Sequence, residues 1–223
     1  LDTLSAYLPE GMKFIVYGPG GVLENVIELV GYESLCYMII DDPGLVQDIF
    51  DAIGSRFVRY YEICAKYDSV GALISNDDWG FNTQTMLSVE DMRKYVFPWH
   101  KKIVETIHAA GKPALLHSCG MLDLVMDDII DVMKYDAKHS YEDNIRPVEK
   151  AYEKYAGRIA VLGGLDLDFV CRSSPEQVYN RASAMLELAG AKGGYALGSG
   201  NSIPYYVPQE NYLAMIAAAV FNE

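Results

Sequence analysis

The residues of this chain best suited to chemistry lie in Pro113-Ala114-Leu115-Leu116-His117-Ser118-Cys119-Gly120, where an apolar run ends in an imidazole and a thiol. Alternation along a strand puts positions i and i+2 on one side, so His117 and Cys119 can face one space. Imidazole nitrogen and thiolate sulfur together are a favourable donor pair for zinc. Other apolar segments also run into polar residues. Asn76-Asp77-Asp78-Trp79 follows one of them. Adjacent residues on an extended chain face opposite ways, so at most one of the two aspartates points into a pocket, and the acid reads either as a helix-capping or loop-bracing carboxylate or as a proton donor, proton acceptor or substrate anchor. His139 ends a very short apolar segment and reads as a metal ligand, a general acid/base or a hydrogen-bonded structural histidine. Asp166 follows Gly163-Gly164, glycines that permit either a tight turn or the close approach of a bulky ligand. Gly198-Ser199-Gly200-Asn201-Ser202 could turn its backbone amides toward a carboxylate or phosphate.

Strands must carry these residues and helices must follow them. The apolar patterning predicts strands over residues 13–18, 70–75, 113–119, 136–140, 158–162 and 194–197. Between them it predicts helices over 22–30, 33–38, from Asp42-Pro43 to about Cys64, from Ser88 to about Ala110, and over 122–133, 146–156, 174–190 and 208–221. Ser88 with Asp91, and Ser174-Pro175-Glu176-Gln177, have the spacing of N-terminal caps. Pro98 should kink its helix. His100 and His108 read as ordinary helix residues, and Cys36 and Cys64 as core. Six strands alternating with helices give an α/β protein with a parallel sheet, most like a (β/α)8 TIM barrel that lacks its first βα units. No dinucleotide or nucleotide fingerprint follows any strand.

Composition narrows the functional classes. The net charge of −13 comes with no basic stripe, so nucleic acid is not an expected partner. No apolar run reaches the roughly 18 residues that a membrane span needs. Four cysteines in 223 residues, without a signal peptide before them, fit a reducing cytoplasm. Many of the 17 tyrosines fall on predicted helices, where they would cover the outside of a barrel or a subunit contact such as that of a homodimer.

Three stretches together resemble the uroporphyrinogen decarboxylase superfamily: His117-Ser118-Cys119-Gly120, Gly163-Gly164-Leu165-Asp166, and Gly193-Gly194-Tyr195 with Gly198–Pro204 and Val207–Asn211. The likeness runs from the strand at Lys13 to the C-terminus, as one barrel domain over 1–223 that matches the last two-thirds of a typical member. One branch of that superfamily consists of cofactor-free decarboxylases of tetrapyrrole acids, and their N-terminal arginine-bearing segment has no match here. The other consists of cobamide-dependent methyltransferases that bind zinc through H-x-C and a further cysteine at the last strand. His117 and Cys119 match the H-x-C pair, but Asn201 stands where the further cysteine is expected, and Asn is a weak zinc ligand. Cys171, His139 and Asp166 are the substitutes to consider for the third ligand.

The resemblance implies an enzyme that moves a methyl group from a methyl-corrinoid protein to a thiol or similar acceptor. His117 and Cys119 would be metal ligands. Asp78, His139 and Asp166 would be catalytic, Asp78 being preferred because the family also places an acid there. Trp79, Ser199 and Asn201 would bind substrate. The cofactors implied are zinc and a corrinoid brought by a partner protein. The alternatives are a decarboxylase of a tetrapyrrole acid, and a non-catalytic protein that binds a corrinoid or a small-molecule tetrapyrrole.

Overall fold

The structure is a computed structural model that describes residues 1–190 and 192–221. It divides into two compact units, Leu1–Asp136 and Ala137–Glu223. Six strands among the described residues alternate with helices, as the apolar patterning requires, and the class is α/β.

In the first unit a short helix α1 (Asp2–Ser5) precedes β1 (Phe14–Tyr17), and β2 (Val70–Asn76) pairs in parallel with both β1 and β3 (Ala114–His117). Register places Asn76 beside His117, so β2 and β3 end level with one another, while β1 ends at Tyr17 beside Ile74. Between β1 and β2 run α2 (Val22–Val30), α3 (Tyr32–Asp41) and α4 (Pro43–Ala65). Asp42 caps α4 by accepting from Leu45 N at 3.0 Å, with Pro43 in the first turn, where its missing N–H costs nothing. Val46, Phe50, Phe57 and Cys64 form the buried stripe of α4, whereas Cys36 on α3 is only half-buried.

Ser88 caps α5 (Val89–Asp91), accepting from Asp91 N at 3.0 Å. The chain then passes through a π-helical stretch, Met92–Val96, into α6 (Phe97–Ala109). The expected kink at Pro98 takes this form because proline removes an i→i−4 bond and the wider turn before it absorbs the mismatch. The helix expected over 122–133 is reduced to turns and a π-helical stretch, Asp128–Met133, closed by Lys134 at φ 64°.

The second unit carries β4 (Ala137–His139), β5 (Ala160–Leu162) and β6 (Tyr195–Ala196), paired in parallel in that order. Its helices are α7 (Val148–Tyr155), α8 (Leu167–Arg172), α9 (Pro175–Gly190) and α10 (Gln209–Val220). The predicted box at the start of α9 is formed, with Gln177 N donating to Ser174 Oγ at 3.3 Å and Ser174 N to Gln177 Oε1 at 2.8 Å. Leu165, Val170, Val178, Ala182, Met215 and Ala218 make the core against which these helices pack. No described helix is long and apolar enough to cross a membrane.

Candidate metal centre

The loops leaving β2 and β3 are fastened to each other residue by residue. Asp77 N donates to His117 O at 3.0 Å, Trp79 N to Ser118 Oγ at 3.2 Å, Cys119 N to Asp78 Oδ1 at 2.9 Å and Met121 N to Phe81 O at 2.8 Å. Gly120, at φ 89°, lies so close to Gly80 that a Cβ on it would sit 2.1 Å from the Gly80 carbonyl oxygen. Only glycine fits there. β3 itself stops at His117, so strand alternation does not bring Cys119 to the histidine. The hydrogen bond to Asp78 does, by folding the loop back across the end of β2.

Three donor atoms meet as a result. Cys119 Sγ lies 3.8 Å from His117 Nε2, which lies 4.0 Å from Asp78 Oδ1, and all three ligand atoms fall within 4.8 Å of one another. With Zn–S of about 2.3 Å and Zn–N or Zn–O of about 2.0–2.1 Å, a tetrahedral site needs S···N of about 3.6 Å and N···O of about 3.3 Å. The observed S···N spacing of 3.8 Å is close to that geometry and the N···O spacing of 4.0 Å is wider than it, so the side chains would have to close around the ion. Thiolate, imidazole and carboxylate are all accepted zinc ligands, and three protein donors leave one position for a substrate. The residues fit a zinc ion.

Asp78 is the third donor that the structure brings to His117 and Cys119, while the residues weighed from sequence as a third ligand all lie in the second unit. Cys171 lies on α8, packed against the apolar core of the second unit. His139 Nε2 faces the Ser199 carbonyl at 3.1 Å. Asp166 spends both carboxylate oxygens on backbone, capping α8 at Phe169 N (3.1 Å) and accepting from Asp143 N (2.9 Å).

Behind Asp78 lies a buried polar set. Asp77, fully buried, accepts from Leu23 N at 2.9 Å and Glu24 N at 3.0 Å, and its other partner is His100 Nε2 at 2.9 Å. Gly21 has no side chain with which to cap α2, and Asp77 reaches across from β2 to do so. A Cβ on Gly21 would sit 2.0 Å from Asp77 Oδ1. His100 is thus no ordinary helix residue. The signal was its place on the buried stripe Val96, His100, Ile103, Val104, Ile107 of the π–α6 segment, where a histidine must find partners. His108 is a surface residue, 2.8 Å from Asp136.

Glu24 and Tyr17 also belong to this neighbourhood, and the sequence reading missed both. Burial, aided by the charges of Asp77 and Asp78, pushes the Glu24 carboxyl up to about 7 against the opposing pull of the Gly21 and Asp78 backbone N–H groups. Its Oε2 is buried without a hydrogen-bond partner. Burial likewise raises the Tyr17 phenol, with Glu24, Asp78 and Cys119 adding to it. Trp79, expected to touch substrate, is corrected to a core residue: it is 0% exposed, with its ring 5.2 Å from Phe97 and edge-on to His100 at 4.7 Å.

In the second unit a cavity of about 800 Å³ opens beside Tyr141, Asp143, Asp166, Phe169, Arg172 and Asn201. Its wall is held by Arg181, which donates to Asp143 at 2.6 and 2.8 Å and to Glu149 at 2.8 and 3.0 Å and lies 4.7 Å from the Phe169 ring centre. Those bonds, to Asp143 first, raise the Arg181 pKa and keep it charged. Two amides of the anion cradle expected at 198–202, and the Ser199 hydroxyl, are engaged by the protein itself. Gly200 N donates to Leu165 O at 2.6 Å, Ser202 N to Asn201 Oδ1 at 2.8 Å and Ser199 Oγ to Asn201 O at 2.6 Å.

Comparison with known proteins bears on both units. The family described as Uroporphyrinogen decarboxylase (URO-D) matches residues 15–220. A uroporphyrinogen decarboxylase of Anaeromyxobacter dehalogenans (strain 2CP-C) is 25% identical over 209 residues, covering 91% of this chain and 56% of that protein. The chain thus spans little more than half the length of this relative. The solved structure of a methyltransferase from Methanosarcina mazei superposes with a TM-score of 0.76 at 19% identity, over 96% of this chain and 61% of that one. The likeness gives the fold as that of a partial TIM barrel.

Proposed function

The chain belongs to the uroporphyrinogen decarboxylase family, and we propose that it serves there as a zinc-assisted methyltransferase, taking a methyl group from a methyl-corrinoid partner protein to a thiol. The observation that carries this reading is the convergence of Asp78, His117 and Cys119 on one point. Zinc held by these three would coordinate the acceptor thiol and lower its pKa, so that a thiolate is available near neutral pH. The chain's own part is to present the donors deprotonated and in place. The Cys119 N–H fixes the Asp78 carboxylate, and the Asp77 N–H fixes the His117 carbonyl. In the second unit, Asp166 and Asn201, in the wall of its cavity, are proposed to contact substrate, with His139 and Ser199 supporting that wall.

The decarboxylase reading asks instead for cations to receive the carboxylate arms of a tetrapyrrole. Arg93 is taken by Asp128, and Arg181 by Asp143 and Glu149. Arg172, at the cavity, is paired with Asp168, while Glu142, Asp143 and Asp166 share the same lining. That balance favours the methyltransferase.

The test is to incubate zinc-loaded protein with methylcobalamin and a small thiol and follow release of cob(I)alamin together with formation of the thioether. Turnover that disappears in Cys119→Ala is the expected result. Corrinoid binding without turnover would support the non-catalytic alternative. Decarboxylation of a tetrapyrrole acid, unaffected by Cys119→Ala, would replace the proposal with the decarboxylase.

A further inference from the structure

We propose that the buried Asp77–His100 pair is the positioning device of the metal centre, setting the placement of Asp78 and His117 and so the affinity and ligand field of the bound cation. The inference rests on the metal reading above and assigns a role to residues that this reading does not use.

Both side chains are 0% exposed, and they meet at 2.9 Å. The partners of Asp77 belong to three different elements. Its carboxylate holds the first turn of α2 through Leu23 N and Glu24 N and holds α6 through His100, while its own N–H donates to the carbonyl of His117. Asp78 is the next residue in the chain. A shift of Asp77 is therefore transmitted to one metal donor through the peptide bond and to another through a hydrogen bond. His100 is in turn held on its far side, with Nδ1 2.8 Å from Tyr135 Oη and 3.1 Å from Ser75 Oγ. Donation from Nε2 to Asp77 leaves Nδ1 as the acceptor for these hydroxyls, a tautomer assigned from the network.

Serine, histidine and aspartate in hydrogen-bonded order suggest a hydrolytic triad, but Ser75 is 2% exposed and His100 and Asp77 are sealed completely. No substrate reaches Ser75 Oγ. For stability alone, well-packed apolar side chains would serve as well as a buried polar pair. Fixing geometry is what such a network does and an apolar cluster does not.

Cobalt(II), a spectroscopic substitute for zinc, tests the inference on the 223-residue chain. Affinity is measured by chelator competition, ligand field from the visible d–d bands, and stability from thermal melts run alongside. Removing all three polar contacts in His100→Leu should weaken cobalt binding about 10–100-fold and shift the bands, the loss typical when the outer partner of a metal ligand is removed. His100→Gln, whose amide nitrogen can reach Asp77, should restore affinity to within a few-fold and return the bands toward those of the wild type.

A folded His100→Leu protein with wild-type affinity and bands overturns the proposal even if its melting temperature falls, because the pair is then only structural. Should His100→Leu fail to fold, His100→Asn, which keeps the side toward Ser75 and Tyr135 but falls short of Asp77, carries the same test with the same overturning result. If the wild type binds no cobalt beyond what His117→Ala and Cys119→Ala bind, the metal reading fails and takes this inference with it. Wild-type binding left unchanged by the His100 variants sinks the inference alone.

Discussion

At the ends of β2 and β3, Asp78, His117 and Cys119 turn their donor atoms toward one another, whereas after β5 and β6 the side chains of Asp166, Ser199 and Asn201 are spent on nearby backbone. The two sets contain similar residue types in similar places relative to their strands. The difference lies in which neighbours satisfy them. In the first unit the backbone groups near the site are satisfied by a second layer, in which Asp77 caps α2 and the 77–81 and 117–121 loops bond to each other. The donor atoms of Asp78, His117 and Cys119 in front of that layer converge on one another. In the second unit Asp166 itself caps α8.

Metal affinity gives the sharpest contrast between the two units. His117→Ala and Cys119→Ala should each lower zinc affinity by more than roughly 100-fold, beyond the losses that outer-partner changes bring. Asp166→Ala and His139→Ala should leave it within about two-fold, both readable by competition with a zinc-binding dye. A comparable loss in either second-unit variant would break the contrast and return those residues to the ligand set. Stability should divide the other way. Arg181→Met strands Asp143 and Glu149, whose side chains are two-thirds or more buried, and should cost about 3 kcal/mol in urea denaturation, near the low end for a broken buried pair. Its zinc affinity should not change.

Much of this arrangement was legible in the sequence, for identifiable reasons. The strands were readable because each is a short apolar run cut off by polar or glycine residues, and the starts of α4 and α9 because Asp42-Pro43 and Ser174-Pro175 carry their caps locally. His117 and Cys119 stood out by type and spacing. Asp78 as their companion did not, because its place depends on the Cys119 N–H, a contact 41 residues away along the chain. Trp79 was misplaced for a related reason. An aromatic residue after a strand reads as a binding surface until α6 is known to lie over it. His100 was missed because a histidine on a helix declares nothing about the strand end that it reaches, and the cradle at 198–202 because two of its amides find partners in Leu165 and within the loop.

A smaller effect sharpens the contrast through pH. The Glu24 carboxyl is raised to about 7 in the folded protein, above the range of an exposed carboxyl. The native state therefore holds a proton that the unfolded chain has lost, and across the interval from about 4.5 to 7 this group makes stability fall as pH rises. In metal-free protein Glu24→Gln should remove that contribution, leaving a flatter stability profile over the interval and a variant relatively more stable above pH 7. Denaturation midpoints at several pH values, taken with chelator present, would read this. Parallel profiles for wild type and variant would mean that burial beside Asp77 and Asp78 does not hold Glu24 in its neutral form.

The smallest expected effect is at Asp166. Its carboxylate is the N-cap of α8, so Asp166→Ala should cost about 1 kcal/mol, the usual loss when a helix cap is removed. Asp166→Asn should cost less, because the amide oxygen can still accept from Phe169 N, although its NH2, a donor, cannot replace the second carboxylate oxygen opposite the Asp143 N–H. Urea midpoints of the two variants rank them directly. If Asp166→Asn leaves stability nearly intact yet abolishes methyl transfer, the carboxylate has a chemical role beyond the cap, and the second unit contributes a reacting group as well as a wall. Loss of activity only in proportion to loss of folded protein would confine Asp166 to structure, leaving the reactive groups of this chain to be sought around Asp78, His117 and Cys119.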